Sequence, residues 1–183
     1  MEKCGEKWEK MSNFGKYSLI LPIRNDRMMN SFIGDYICKI DPKGRLLLPS
    51  AFKKQMPDNA RDIFVVKKDI YEKCLILYTI DEWERQNELL RNKLNPYNKE
   101  HSNFLRSYYR GAAELVLDSS NRLLIPKRLL IEVEIDKDIC LSGQDKKIEI
   151  WAKERYDSIS FNETEFSDMA NSILGKIDNN SIQ

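Results

Sequence analysis

The chain has 183 residues, and its 30 Lys and Arg residues nearly balance its 29 Asp and Glu residues, which leaves a net charge of +1. This length allows one or two small domains, and 42% hydrophobic with 32% charged residues is typical of a soluble globular protein. The sequence contains no apolar stretch of the roughly 20 residues that a membrane-spanning helix needs, and no signal peptide is predicted. A nucleic-acid partner would therefore require positive charge that is local or multiplied by self-assembly.

The sequence contains an internal repeat. Residues 32–52 and residues 109–126 share an aromatic residue, Gly, Asp, Arg, Leu-Leu and Pro, in the same order and at an offset of 77 positions. The correspondence continues, with four residues fewer, between residues 75–78 and residues 148–151. Chance does not produce an ordered set of this length, so we interpret the chain as a tandem duplication.

Each copy predicts a strand, a tight turn, a second strand, a short helix, two more strands and a closing helix. The turns end at Gly44 and Asn121, residue types that tolerate positive φ, and the short helices follow Pro49 and Pro126. The predicted longer strands are Tyr36–Ile40, Ile63–Lys67 and Cys74–Tyr78 in the first copy, and Glu114–Leu117, Asp138–Leu141 and Lys147–Trp151 in the second.

Two helices are predicted to join the copies as a helical hairpin. Thr79 and Glu82 have the spacing of a capping box, which predicts a helix from there to about Leu94. Asn95-Pro96 is then predicted to cap and start the linker helix.

These patterns divide the chain into two repeats and three other segments. The predicted segments are an N-terminal extension over 1–31, a first repeat with its closing helix over 32–94, a linker helix over 95–108, a second repeat over 109–160 and a C-terminal tail over 161–183. We expect the extension to be disordered or to precede a native start at Met28 or Met29, and the tail to be frayed from about Ser167. Because units of about 60 residues with short strands cannot bury a core alone, we predict an α+β fold in which the two β units pack about a pseudo-twofold axis.

The most distinctive motif is an Asp followed four positions later by an Arg. It occurs at Asp41 and Arg45 and again at Asp118 and Arg122. A tight turn would bring each pair together, so that the carboxylate accepts hydrogen bonds from turn amides and from the guanidinium. The arginine would then project rigidly, and it could contact a phosphate or donate two hydrogen bonds to guanine. The spacing alone equally allows an ion pair that only stabilises each turn. The presence of the motif in both copies favours binding to a repeating polymer.

Other classes of site lack the residues they need. The four cysteines, Cys4, Cys38, Cys74 and Cys140, form no Cys-x-x-Cys pair, so we expect reduced thiols, no zinc and a cytoplasmic protein. His101 is the only histidine, and the chain has no glycine-rich phosphate loop. The sequence therefore predicts no enzyme, no metal, no cofactor, no small-molecule substrate and no membrane partner.

Residues 41–49 resemble the first signature of the MraZ family, and residues 118–126 resemble the second. Residues 74–83 and residues 141–151 are also similar to that family, and the resemblance covers about residues 29–160. It implies a double AbrB-like fold of the swapped-hairpin type, a transcription regulator located in the cytoplasm on the nucleoid, and closed ring-shaped homo-oligomers. The implied partner is double-stranded DNA, at short G-rich direct repeats in the promoter of the division and cell-wall gene cluster that the protein's own gene heads.

The resemblance also implies which residues bind DNA. The contacting residues would be Arg45, Arg122 and Lys43. The residues that support the motif would be Asp41, Gly44, Asp118 and Asn121. The second turn departs from the family pattern because it contains neither lysine nor glycine.

One alternative from another class stays open. The same double fold could act as a protein-interaction or antitoxin module, with a structural role in place of DNA recognition. Ionic strength distinguishes the two, because binding to phosphates weakens steeply with salt. A near-neutral subunit would also bind DNA weakly alone, so a ring of copies on successive repeats would gain affinity through effective concentration.

Overall fold

The computed structural model describes residues 31–56, 62–159 and 163–175. The strands within them are β1 (Phe32–Lys39), β2 (Arg45–Leu47), β3 (Ile63–Lys68), β4 (Leu75–Thr79), β5 (Ala113–Val116), β6 (Arg122–Leu124), β7 (Asp138–Asp145) and β8 (Lys147–Ala152). The helices are α1 (Ser50–Gln55), α2 (Ile80–Lys93), α3 (Lys99–Tyr109), α4 (Lys127–Glu132), α5 (Lys153–Ser158) and α6 (Glu163–Leu174). The predicted N-terminal extension lies outside the described residues except for Ser31.

The strands form an antiparallel six-stranded sheet, in the order β1-β7-β8-β4-β3-β5, and a separate two-stranded ribbon of β2 and β6. Strands β1, β2, β3 and β4 of the first repeat are equivalent to β5, β6, β7 and β8 of the second. Exchanging each strand with its equivalent gives the same order of the large sheet read from the other edge, so every strand keeps equivalent neighbours. A pseudo-twofold axis therefore passes between β4 and β8. This confirms the predicted α+β fold with two β units related by pseudo-twofold symmetry.

The repeats exchange strands. β1 belongs to the first repeat but pairs along its whole length with β7 of the second, and β3 pairs with β5 of the second. Between β1 and its own neighbour β2 the described pairing is a single isolated bridge, formed by Ile40 just after β1 with Leu46, while β2 pairs with β6. Neither repeat can therefore complete either sheet without the other.

One apolar core joins the large sheet, the β2–β6 ribbon and the short helices. The two repeats contribute equivalent side chains, such as Leu46 and Leu123, neither of which has exposed surface. Along each ribbon strand an inward leucine stands between two outward residues, as the alternation of a β-strand requires. The core members include Phe32, Leu48, Phe52, Phe64, Leu75, Ile125, Ile139 and Ile150.

Aromatic side chains join the helical hairpin to the sheet. Trp83 of α2 stacks on Tyr108 of α3 with 5.9 Å between ring centroids, and it lies 6.1 Å from Tyr78 of β4. The Oγ1 of Thr79 accepts a hydrogen bond from the backbone N–H of Glu82, so the predicted start of α2 is confirmed.

The predicted start of α3 is wrong. The side chain of Asn98 accepts hydrogen bonds from the backbone N–H groups of Glu100 and His101, which makes Asn98 the residue that caps the helix. Asn95 instead accepts from the backbone N–H of Tyr97 within the preceding turn. Both asparagines can cap a helix, and only Asn98 lies directly before the first helical residue.

A frayed tail was expected from Ser167 onward. This expectation is wrong for residues 167–174, because they belong to α6. Phe166, Met169 and Ile173 recur at the three- and four-residue spacing of a helix face, a signal that the polar composition of the segment concealed. Residues 176–183 lie outside the described part of the chain.

The shared core predicts equal sensitivity of the two repeats. Leu46→Ala and Leu123→Ala each remove a side chain without exposed surface, so each should lower the free energy of unfolding by about 2–5 kcal/mol. Leu47→Ala is the matched control, because Leu47 is 58% exposed and should change stability by no more than about 0.5 kcal/mol. Urea unfolding measures all three variants. A Leu46 variant as stable as the Leu47 variant would contradict this description of the core.

Candidate nucleic-acid interface

The first motif forms a tight turn around one carboxylate. The backbone N–H of Gly44 donates to the carbonyl of Asp41 at 2.8 Å, which closes the turn. The Oδ1 of Asp41 accepts from the backbone N–H groups of Lys43 and Arg45, both at 2.9 Å. Its Oδ2 accepts from the Nε of Arg45 at 2.6 Å. The carboxylate therefore fixes both the turn and the arginine side chain.

The second turn repeats this arrangement although its sequence differs. The backbone N–H of Asn121 donates to the carbonyl of Asp118 at 2.9 Å. The carboxylate of Asp118 accepts from the backbone N–H groups of Ser120 and Arg122 and from the Nε of Arg122, at 2.8, 2.9 and 2.9 Å. The lack of a lysine and a glycine in this turn therefore leaves the contact between aspartate and arginine unchanged.

The last residue of each turn needs positive φ, and the two repeats meet this need differently. Gly44 has a φ of +90°, and a Cβ placed there would lie 2.7 Å from the carbonyl oxygen of Ile125, which only glycine avoids. Asn121 has a φ of 57°, in the left-handed region that asparagine tolerates.

Each turn is bonded to the ribbon strand of the other repeat. The carbonyl of Gly44 accepts from the backbone N–H of Ile125, and the carbonyl of Asn121 accepts from that of Leu48, both at 2.9 Å. These two bonds extend the pairing of β2 with β6 beyond the strand ends. The two motifs consequently lie on one continuous ribbon.

The ribbon presents both arginines on its outward face. Arg45 lies opposite Leu124, and Arg122 lies opposite Leu47, so the arginines occupy two diagonal corners of a four-residue face. Strand spacing puts their Cα atoms roughly 8 Å apart. Lys43 is exposed at the tip of the first turn, where the second turn has Ser120. The sequence predicted the arginines, but the two outward leucines were missed, although both stand two residues after an arginine and thus on its face.

The aspartates use only part of each guanidinium. Both bonds to arginine side chains go to Nε, and no described residue bonds to the terminal amino groups of Arg45 or Arg122. The arginine side chains are 36% and 39% exposed. The ion pair thus stabilises each turn and still leaves both terminal amino groups of each arginine for a ligand.

Hydrogen bonds keep both carboxylates ionised. The backbone N–H of Arg45, reinforced by its side chain and by the N–H of Lys43, lowers the pKa of Asp41 and outweighs the opposing desolvation. The backbone N–H of Arg122, together with that of Ser120, lowers the pKa of Asp118 in the same way. The negative charges therefore persist at neutral pH and hold the arginines in place.

Three other features are at issue among the described residues: a reactive thiol, a metal site and a membrane-spanning helix. Burial raises the pKa of Cys74 to about 12 and that of Cys140 to about 11, so neither thiol is a reactive thiolate at neutral pH. Within the described ranges there is no group of three His, Cys, Asp or Glu side chains that could hold a metal ion. The helices in the same ranges include none that is both long and apolar enough to cross a membrane.

The chain is similar to one family over both of its repeats. The family model described as "MraZ protein, putative antitoxin-like" matches residues 31–107 and again residues 108–174. A relative from Flavobacterium psychrophilum, named "Transcriptional regulator MraZ", is 37% identical over 150 residues, which are 81% of this chain and 95% of the relative. A protein of the same name from Christiangramia forsetii is 39% identical over 153 residues, which are 82% of this chain and 97% of that protein.

The lowered pKa of Asp41 predicts how stability depends on pH. Asp41→Asn removes a charge whose stabilising effect is present above the unfolded-state pKa of about 4, and which is lost as the pH falls through the lower pKa of the folded state. The stability difference between wild type and variant should therefore be constant from neutral pH to about pH 5 and shrink below about pH 4. Urea unfolding across this range measures it.

The matched control is Asp136→Asn, which removes an exposed aspartate outside both turns. The Asp41 variant should lose more stability than this control at neutral pH. A loss in the Asp41 variant that does not change between neutral and acid pH would show that the carboxylate charge does not stabilise the turn.

Proposed function

The chain belongs to the MraZ family of transcriptional regulators, and on that premise we propose that it binds double-stranded DNA through the β2–β6 ribbon and its two turns. The proposed targets are short G-rich direct repeats in the promoter of the division and cell-wall gene cluster. The proposed binding form is a closed ring of copies, which acts in the cytoplasm on the nucleoid.

The observation that carries this proposal is the paired arginines. Each of Arg45 and Arg122 is fixed through Nε by an aspartate and keeps two terminal amino groups for a ligand. Two donors in one plane match the O6 and N7 acceptors of guanine, the commonest specific contact in the major groove. Because the aspartates restrict the side chains before binding, little conformational freedom is lost when DNA binds.

The dimensions of the ribbon support the same conclusion. The major groove is about 12 Å wide and admits a two-stranded β-ribbon. A face with diagonal arginines roughly 8 Å apart fits this width. Lys43, at the exposed turn tip, would then contact a phosphate and not a base.

The near-neutral charge supports binding by several copies. Asp41 and Asp118 each offset the charge of the arginine they hold, so one subunit attracts the phosphate backbone only weakly. Several copies on successive repeats would bind with a high effective concentration. Affinity should therefore rise steeply as the number of repeats in the DNA increases from one to four.

Replacing the arginines tests the proposed contacts. Arg45→Ala and Arg122→Ala should each weaken binding to promoter DNA by about 1–3 kcal/mol per lost base contact. Arg106→Ala, an exposed arginine of α3, is the matched control and should bind as wild type does. Fluorescence anisotropy on the DNA upstream of the gene measures all three, and light scattering checks their assembly. Wild-type affinity in the Arg45, Arg122 double variant would refute the proposed site.

Salt separates DNA binding from a protein-interaction role. The logarithm of the DNA affinity should fall linearly with the logarithm of the salt concentration, with a slope of about −0.9 per phosphate contacted. Lys43→Ala should reduce the magnitude of that slope by about one and weaken binding to all sequences alike. An affinity for promoter DNA that does not change with salt would contradict this mechanism, and the absence of DNA binding even at low salt would favour the protein-interaction module.

A further inference from the structure

The arginines account for only half of the outward face of the ribbon, and the other half is apolar. Leu47 is 58% exposed and Leu124 is 57% exposed. They occupy equivalent positions in the two repeats, each two residues after the motif arginine. Their nearly equal exposure shows that the pseudo-twofold arrangement extends to the leucines.

The fold does not require these two leucines to be apolar. The inward face of the ribbon is supplied by Leu46 and Leu123, which have no exposed surface, and the residues that follow the strands, Leu48 and Ile125, are also buried. Leu47 and Leu124 project the other way, so their side chains add little to the core. A large apolar surface of this kind gains free energy only when another molecule covers it.

The position of the leucines restricts what can cover them. Leu124 lies opposite Arg45 and Leu47 lies opposite Arg122 in the ribbon register. Opposed residues of antiparallel strands have Cβ atoms about 4.5–5.5 Å apart. Any surface that reaches both arginines of this face must therefore also lie against the leucines.

We propose that Leu47 and Leu124 contact the 5-methyl groups of thymines next to the guanines that Arg122 and Arg45 bind, and that they set a preference for thymine at those positions. The inference rests on the proposed function and deepens it. The thymine methyl is the apolar group that B-DNA displays in its major groove, and aliphatic side chains are its ordinary partners. The arginines thus select guanine by hydrogen bonds, while the leucines select thymine by burial of the methyl group.

Uracil tests this contact directly, because it pairs as thymine does and lacks only the methyl group. Promoter DNA is prepared with either thymine or uracil throughout, and anisotropy compares the two duplexes. The wild type should bind the uracil duplex about fourfold more weakly for each methyl group that it buries. The Leu47→Ala, Leu124→Ala double variant should bind the thymine duplex more weakly than wild type and should not distinguish the two duplexes.

Ile131→Ala is the matched control, because Ile131 is 75% exposed on α4 and lies outside the ribbon. This variant should keep the full preference for thymine. Light scattering on every variant measures assembly. A Leu47, Leu124 variant that falls apart into smaller species would show that a second copy covers the leucines, which overturns the proposal.

The outcomes also separate this inference from the function on which it rests. If the wild type binds both duplexes equally and Arg45→Ala still weakens binding, the leucine contact is wrong and the arginine contacts stand. If the wild type binds neither duplex, the proposed function and this inference both fail.

Discussion

Backbone hydrogen bonds between the two repeats determine where the arginines lie. β2 pairs with β6, the carbonyl of Gly44 accepts from Ile125, and the carbonyl of Asn121 accepts from Leu48. Because each turn is bonded to a residue of the other repeat, the position of each motif depends on its counterpart. The exchange of β1 and β5 between the halves of the large sheet enforces the same dependence, since both repeats need the other to complete their strand pairing.

The candidate site combines a fixed geometry of its two arginines with a small net charge. Each carboxylate lowers the electrostatic attraction of its own arginine for an anionic ligand, but it also fixes the guanidinium in one direction. Such an arrangement favours discrimination between bases over strength of binding by a single subunit. In the proposed function, the strength of binding comes from the number of copies on the DNA, as in the proposed ring on direct repeats.

The sequence predicted the local features of the fold well because they depend on neighbouring residues. The duplication, the turns at Asp41 and Asp118, the cap at Thr79 and the pseudo-twofold packing all have short-range or repeated signals. The predicted start of α3 was wrong because Asn95 and Asn98 have the same capping chemistry, and only the folded backbone decides between them. The exposure of Leu47 was missed because three consecutive leucines conceal the alternation that turns Leu46 and Leu48 inward and Leu47 outward.

The central claim is that one ribbon, built by both repeats, binds DNA. Hydrogen–deuterium exchange of the full chain, with and without promoter DNA, tests it most directly, because exchange reports on every backbone segment at once. The account predicts that peptides covering residues 41–47 and residues 118–124 become protected together when DNA is added, while α6 is unchanged. Protection of only one of these segments, or protection confined to other parts of the chain, would contradict it.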